Sequence, residues 1–522
     1  MLNRTRALAS VAAIALTLGA GIVPASAESL REAIGLAYRT NPSLQAQRAN
    51  QRALDETVVQ ARSGLRPNLS ASVGGSYSRS ETDQVTVPGQ ILNIDTNGDG
   101  IADATATLPS SVSGGSVETD SANASINLSQ NIWTAGRTAR AIDSAEAQIR
   151  AGRENLRQVE QQVMVGVIQA YADVIRDMEI LRIRQENLTV LRRQLDESNA
   201  RFEVGEITRT DVAQSEARLA QSEADLAAAQ AQLSVSRAGY AAVVGQSPTN
   251  LEALPALPGL PSDFDAALDV ALVENPSILA AGYNLSAAEA NVAAARSEYL
   301  PSARLQASYG GNSNEFSSFA LNDRTSFTAG ATVSVPLFTG GLNRSRVAQA
   351  LERANAAQIG VEGERRTVLQ SVSSTYAQVL ASQSTLQAGQ QAVRAATVAA
   401  EGVRQEAQVG LRTTLDVLNQ ELELRSAQVA LASAYRNQYV AQAQLLAAMG
   451  RLSGFSLNAD IDLYDPADNY RAVRSRGALP WDGVVEALDR VASPAIMPAT
   501  DSVDAPIDTQ LKGEVVRTAP RD

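Results

Sequence analysis

The 522-residue chain contains no histidine and no cysteine. Without imidazole or thiol there is no Ser-His-Asp triad, no cysteine nucleophile and no His- or Cys-based metal centre. Carboxylate pairs remain as a possible acid–base device, but no pocket-like cluster of them stands out. Enzymatic activity is therefore not expected, and no cofactor is implied. The missing cysteine also excludes a disulfide-stapled extracellular scaffold and the acylated N-terminus of a lipoprotein. Positive charge is scarce: 44 Lys and Arg face 56 Asp and Glu, a net charge of −12, which argues against nucleic-acid binding. Beyond Ala27 there is no apolar run long enough for a membrane helix.

What the chain does have begins with an export signal. Arg4 and Arg6 precede an apolar run from about Ala7 to Val23, which ends at Ala25-Ser26-Ala27, an A-x-A cleavage pattern. Gly19, Gly21 and Pro24 break the run and disfavour a spanning helix. Residues 1–27 read as a signal peptide, with a mature chain starting at Glu28. An exported protein without helical anchor or disulfides suits the Gram-negative periplasm or outer membrane.

The rest is written twice. Asn41-Pro42 recurs as Asn275-Pro276 and Arg66-Pro67 as Leu300-Pro301, both at 276 − 42 = 301 − 67 = 234. Further on, Trp133, Tyr171, Gly205, Asp211 and Gly245 match Phe338, Tyr376, Gly410, Asp416 and Gly450, all at an offset of 205. The first copy therefore holds 234 − 205 = 29 extra residues between Pro67 and Trp133. The copies span 28–250 and 263–452, and 453–522 is a tail that reads as mostly irregular.

Each copy alternates two kinds of pattern. Val167, Val174, Leu181, Leu188, Leu195 and Phe202 fall at seven-residue intervals, and their counterparts Val372, Val379, Leu386, Val393, Ala400 and Ala407 are also apolar. Heptads sustained this far predict coiled-coil hairpins over 137–247 and 342–450. Between the opening helix and each hairpin, apolar residues alternate with polar ones, as in Leu305, Ala307 and Tyr309 or Phe327 to Leu337. Strand pairs are predicted at 68–79 with 121–132 and at 302–312 with 325–337. A half-buried soluble sheet would alternate in the same way. Strands of about ten residues with one apolar face also fit a membrane barrel. Four strands cannot close a barrel, so membrane strands would require oligomerisation.

The duplication, the NP marker in each opening helix, and the junction segments NIWTAGR and PLFTGGLNR resemble the TolC-type outer-membrane efflux and secretion ducts. So do the paired tips FEVGEITRTDVAQSE, 202–216, and AQVGLRTTLDVLNQE, 407–421; the resemblance covers about 29–452. It implies a mainly α protein with membrane β: four strands and long coiled-coil helices per protomer, a homotrimeric twelve-stranded barrel in outer-membrane lipid, and a helical tunnel in the periplasm. A periplasmic adaptor and an inner-membrane transporter of the RND or ABC type are the implied partners, supplying cargo and energy to a passive duct.

The resemblance also assigns roles at the tips. Gly205 and Gly410 suit left-handed helix stops, Thr208 and Thr413 helix starts, and Asp211 and Asp416 the positive end of the returning helices. Three copies of Asp416 on the threefold axis would form an acidic ring at the aperture. Arg412 corresponds to the arginine that ties neighbouring hairpins, with Asp211 or Thr210 as implied partners. Asn419 stands where the family has a second acidic ring, and Ala407 where it has a constricting tyrosine. Val204, Gly205, Glu206, Val409, Gly410 and Leu411 are the implied adaptor-docking turns. A periplasmic adaptor is the rival reading, although adaptors carry one hairpin between lipoyl-like halves.

One motif stands apart. Asp95, Asn97, Asp99 and Asp103 in DTNGDGIAD take calcium-loop positions, with Gly100 at the turn but Ala106 where a bidentate glutamate belongs. A weak calcium site and a plain Asn/Asp/Gly turn are the two readings. A calcium-dependent surface protein would need tandem repeats, and there is a single loop. It falls in the extra residues of the first copy, between strands.

Overall fold

The computed structural model describes residues 28–314, 324–457 and 462–499. The expected signal peptide and the end of the tail lie outside them. The first repeat opens with α1 (Leu30–Thr40), started by a Ser29–Glu32 capping box, and α2 (Pro42–Ser63). Asn41 explains the NP marker. Its side chain accepts the amides of Ser43 and Leu44, starting α2 with Pro42 in the first turn. Its amide nitrogen donates to the Val243 carbonyl at 3.1 Å.

After β1 (Asn68–Val87), β2 (Gln90–Ile94), β3 (Ala104–Leu108) and β4 (Ser111–Trp133) come the 67-residue α3 (Arg137–Glu203) and the returning α4 (Arg209–Val244). At 1.5 Å per residue, α3 is about 100 Å long. The second repeat has α5 (Phe264–Glu274), α6 (Pro276–Ser297), β5 (Ser302–Ser313), β6 (Arg324–Ser334), α7 (Leu342–Gln408) and α8 (Thr414–Ala448). Asn275 repeats the part of Asn41: it accepts from the Ser277 amide and donates to the Ala448 carbonyl at 2.8 Å. Val243 and Ala448 are themselves a repeat pair, 448 − 243 = 205.

The cores are duplicated too. Leu30, Ile34, Val167, Tyr240 and Val244 are buried in the first, and Phe264, Leu268, Val372, Leu445 and Met449 hold the same places in the second. Each such side chain contributes about 1.5–3 kcal/mol when fully buried. The heptad seams lie largely inward: Val167, Val174 and Leu188 are buried, as are Val372, Leu386, Ala400 and Ala407.

β1, β4, β5 and β6 form one antiparallel sheet in the order β1-β4-β5-β6. Its register aligns side chains of one kind on each face. Ala71, Ile126, Tyr309 and Phe327 form one cross-strand row, and Leu69, Leu128, Ala307 and Ala329 the next. That apolar face is uncovered, with Phe327 70% and Leu69 69% exposed. The opposite face carries hydroxyl pairs: Ser72 with Ser125 at 2.8 Å and Ser308 with Thr328 at 2.7 Å.

Three expectations change. β1 and β4 are nearly twice as long as the predicted 68–79 and 121–132, pairing to Val87 and Ser111 past a bulge between Thr82 and Val85. Ser- and Thr-rich sequence continues the ladder after the apolar alternation fades. β2 and β3 add a separate two-stranded hairpin to the four predicted strands. β6 ends at Ser334 rather than 337, two residues short of Pro336, which has no amide for a ladder.

Within the tail expected to be mostly irregular, the described residues contain three short helices. These are α9 (Gly454–Leu457), α10 (Pro466–Val473) and α11 (Asp482–Asp489), docked through paired charges and hydrogen bonds. Leu457, Tyr464 and Tyr470 also pack against the apolar cores, and polar partners on α2 and α3 complete the docking. No helix among the described residues is long and apolar enough to cross a membrane.

Candidate functional site: the paired hairpin tips

α3 and α7 stop in the same way. Val204 is the last helical cap, Gly205 turns left-handed at φ +81°, the Gly205 amide donates to Phe202 O, and the Glu206 amide reaches back to Arg201 O at 2.9 Å. In the second copy Gly410 sits at φ +79°, with Gly410 N to Ala407 O and Leu411 N to Glu406 O at 2.9 Å. Both are complete Schellman stops, which glycine makes without strain.

The returning helices start with reciprocal caps. Thr208 accepts the Asp211 amide while the Asp211 carboxylate takes the Thr208 amide at 2.9 Å, and Thr413 with Asp416 repeats this at 3.0 Å. The Thr208 and Thr413 amides, first among the causes, hold the Asp211 and Asp416 carboxyls below the usual range. Asp211 is thus committed to its own cap, and Thr210 is exposed beside it.

Arg412 is not paired with either residue within the protomer. Its Nε donates to Glu406 Oε2 at 2.7 Å, and this carboxylate raises the Arg412 pKa. The first copy reverses the charges: Arg201, at the position of Glu406, pairs with Glu206 at 3.0 Å. Both pairs are solvent-exposed and contribute little stability; they set the direction in which Arg412 and Glu206 point.

Two features carry no sequence signal. Arg218 of α4 donates to Asn419 Oδ1 of α8 at 3.0 Å, so Asn419 is a tie between the two hairpins. Above it, Glu421 is 2% exposed and accepts from Arg404, with Arg425 beside it. Charges on heptad helices usually face solvent, so this buried group could not be read from spacing. Val204, Val409 and Leu411, by contrast, project from the turns at 71–75% exposure, an apolar surface at each tip.

DTNGDGIAD caps the β2–β3 hairpin. The Asp95 carboxylate accepts from the amides of Asn97, Gly98 and Gly100, and the Gly100 and Gly98 amides lower its pKa. Asp99 takes the Ile101 amide, and Asp103 takes the Thr96 hydroxyl. Among the described residues no group of three or more acidic side chains is placed to hold a metal ion. Asp95, Asn97, Asp99 and Asp103 thus form a turn closed by its own side chains, and a weak calcium site there stays an expectation from the sequence.

An uncovered amphipathic sheet ending in two hairpins, each with the same tip, defines a class of outer-membrane channel proteins. The chain belongs to the outer membrane efflux protein family, whose model matches residues 33–246 and 267–451. It is 31% identical over 460 residues to the outer membrane efflux protein BepC of Brucella suis, covering 88% of this chain and 92% of BepC. It is 28% identical over 434 residues to the outer membrane protein TolC of Vibrio cholerae, covering 82% and 92%. The open state of the Neisseria gonorrhoeae MtrE outer membrane channel superposes with a TM-score of 0.63 at 23% identity, covering 83% of this chain and 91% of MtrE. The chain is an outer-membrane protein of the efflux and secretion class, not a periplasmic adaptor.

Proposed function

We propose that the chain is the exit duct of a tripartite efflux pump or type I secretion system, and that it conducts cargo passively and catalyses no reaction. The observation that carries this reading is the open four-stranded sheet. Its apolar face is exposed, its other face is lined with hydroxyls, and β1 and β6 are left as unpaired edges among the described residues. Lipid does not tolerate open edges, so β6 of one copy pairs with β1 of the next. Three copies close a twelve-stranded barrel with lipid outside and water inside.

The α3–α4 and α7–α8 hairpins then extend the barrel as a periplasmic tunnel. Three copies of Asp416 ring its aperture and favour cations. Val204, Gly205 and Glu206, with Val409, Gly410 and Leu411, offer the adaptor an apolar turn surface. The adaptor links the duct to an RND- or ABC-type transporter, which selects the cargo.

Purification from outer-membrane fractions tests the reading. Heat-dissociable trimers that form channels in planar bilayers are expected, whereas a soluble monomer without conductance would refute it. Cysteine at Val409, in a chain with none of its own, should crosslink to the adaptor.

A further inference from the structure

The tail climbs α2 and α3 from the first core to the strand–helix junction. Tyr464 covers one face of the buried Arg48 guanidinium at 5.1 Å while Tyr38 covers it at 4.3 Å. Asn469 donates to the fully buried Asp55 at 2.8 Å, and Tyr470 donates to Glu146 at 3.0 Å. Arg66 pairs with Asp482 at 2.8 Å.

At the top of this path Asp489 is 0% exposed. It accepts from the Thr134 amide, from Thr134 Oγ1 at 2.8 Å and from the Ala139 amide at 3.1 Å. Ala139 is the third residue of α3, whose N-cap, Gly136, has no side chain to offer. Thr134 Oγ1 takes the second-position amide, that of Thr138, at 3.0 Å. The orphan amides that open a 67-residue helix are thus served by residues outside it, one of them about 350 positions away.

Among the described residues the second repeat has no counterpart of this arrangement. Gly136 and Gly341 make the same turn, at φ +85° and +88°. A Cβ at Gly136 would lie 2.1 Å from Ser493 Cβ, whereas one at Gly341 would meet nothing within 4 Å. Trp133 donates to Val491 O at 3.1 Å, and its counterpart Phe338 is 91% exposed.

We propose that the C-terminal segment bolts only the first of the two strand-to-helix junctions, with Asp489 acting as the N-cap that α3 lacks. Past Asp489 the segment reaches α6 of the second repeat, where the Ala499 amide donates to Glu289 at 3.1 Å and Arg296 meets Met497, and leaves the start of α7 uncapped by it. Glycine at 136 serves two needs, the left-handed turn and the close approach of Ser493. Gly341 serves the turn alone. A buried carboxylate holding three donors at a helix N-terminus is a strong local lock. The two halves of a duplicated chain therefore differ in stiffness at the same structural position.

Hydrogen exchange on the full-length protein in detergent tests this. In Asp489→Ala, exchange across Thr134–Ala139 should accelerate about tenfold, the scale of a lost helix cap, while Thr339–Arg344 stays unchanged. Asp489→Asn, which keeps one acceptor oxygen, should fall between. If Asp489→Ala fails to assemble, Gly136→Ala and Gly341→Ala decide the matter. Both carry the same backbone strain, and only Gly136→Ala should also accelerate exchange over 464–493. Unchanged exchange at Thr134–Ala139 in Asp489→Ala, or equal effects from the two glycine variants, would overturn the proposal.

Discussion

Arg218 and Asn419 join the two hairpins near their tips: Arg218 Nη2 donates to Asn419 Oδ1 at 3.0 Å, the one described side-chain hydrogen bond between α4 and α8. A hydrogen bond to a charged group is worth about 1.5 kcal/mol net, roughly a tenfold change in an equilibrium. Arg218→Ala and Asn419→Ala should each raise single-channel conductance or open probability in planar bilayers. The double variant should add nothing to either single one, since the same bond is lost. Additive effects would mean that the two residues act separately.

Arg412 is held by Glu406 at 2.7 Å within its own tip, so any link it makes to a neighbouring protomer starts from a pre-aimed guanidinium. Arg412→Ala should increase conductance. Glu406→Gln should give a smaller increase of the same sign, because it releases the direction of the arginine and keeps its charge. A small conductance unchanged in Arg412→Ala would remove this residue from the closing mechanism.

Acid should loosen both tips. The Thr208 and Thr413 amides hold the Asp211 and Asp416 carboxyls below their ordinary value of 3.8. A pKa depressed in the folded state contributes stability that is complete above the unfolded value and is lost as pH falls through the folded one. The starts of α4 and α8 should therefore fray below about pH 4. A fluorophore on Thr210→Cys should report that mobility, and adding Asp211→Asn should give the mobile signal at pH 6 as well as at pH 3. A wild-type signal that is flat with pH would contradict the capping argument.

How far the sequence reveals this molecule depends on whether a feature repeats. Val167 with Val372 and Gly205 with Gly410 were legible because both copies bury or turn the same positions. The NP marker was visible at both offsets. Its reason, an asparagine that starts one helix and ties down the end of another, needed the Val243 and Ala448 carbonyls in place. Asp489 on Thr134 and Arg218 on Asn419 occur once each and join residues 355 and 201 positions apart. No periodicity encodes such pairs. The length of β1 and β4 was hidden for a different reason, because serine and threonine sustain a ladder without an apolar signature.

The same logic predicts an asymmetric result at a symmetric pair. Tyr171 and Tyr376 are 205 positions apart, and burial pushes both phenols above the ordinary range. Their surroundings differ. The Tyr171 hydroxyl shares its one proton between the carbonyls of Glu28 at 2.8 Å and Glu252 at 2.9 Å, holding the segment before α1 and the inter-repeat linker to α3. Tyr376 meets Phe264 edge-on at 5.7 Å through its ring alone. Tyr171→Phe should cost about 1–2 kcal/mol by leaving buried carbonyls short of a donor. Tyr376→Phe keeps the ring contact and should stay within about 0.5 kcal/mol. Denaturant unfolding of the two variants in detergent separates the cases. Equal losses would mean that both hydroxyls matter alike, and that the first repeat is not pinned at its root by Tyr171.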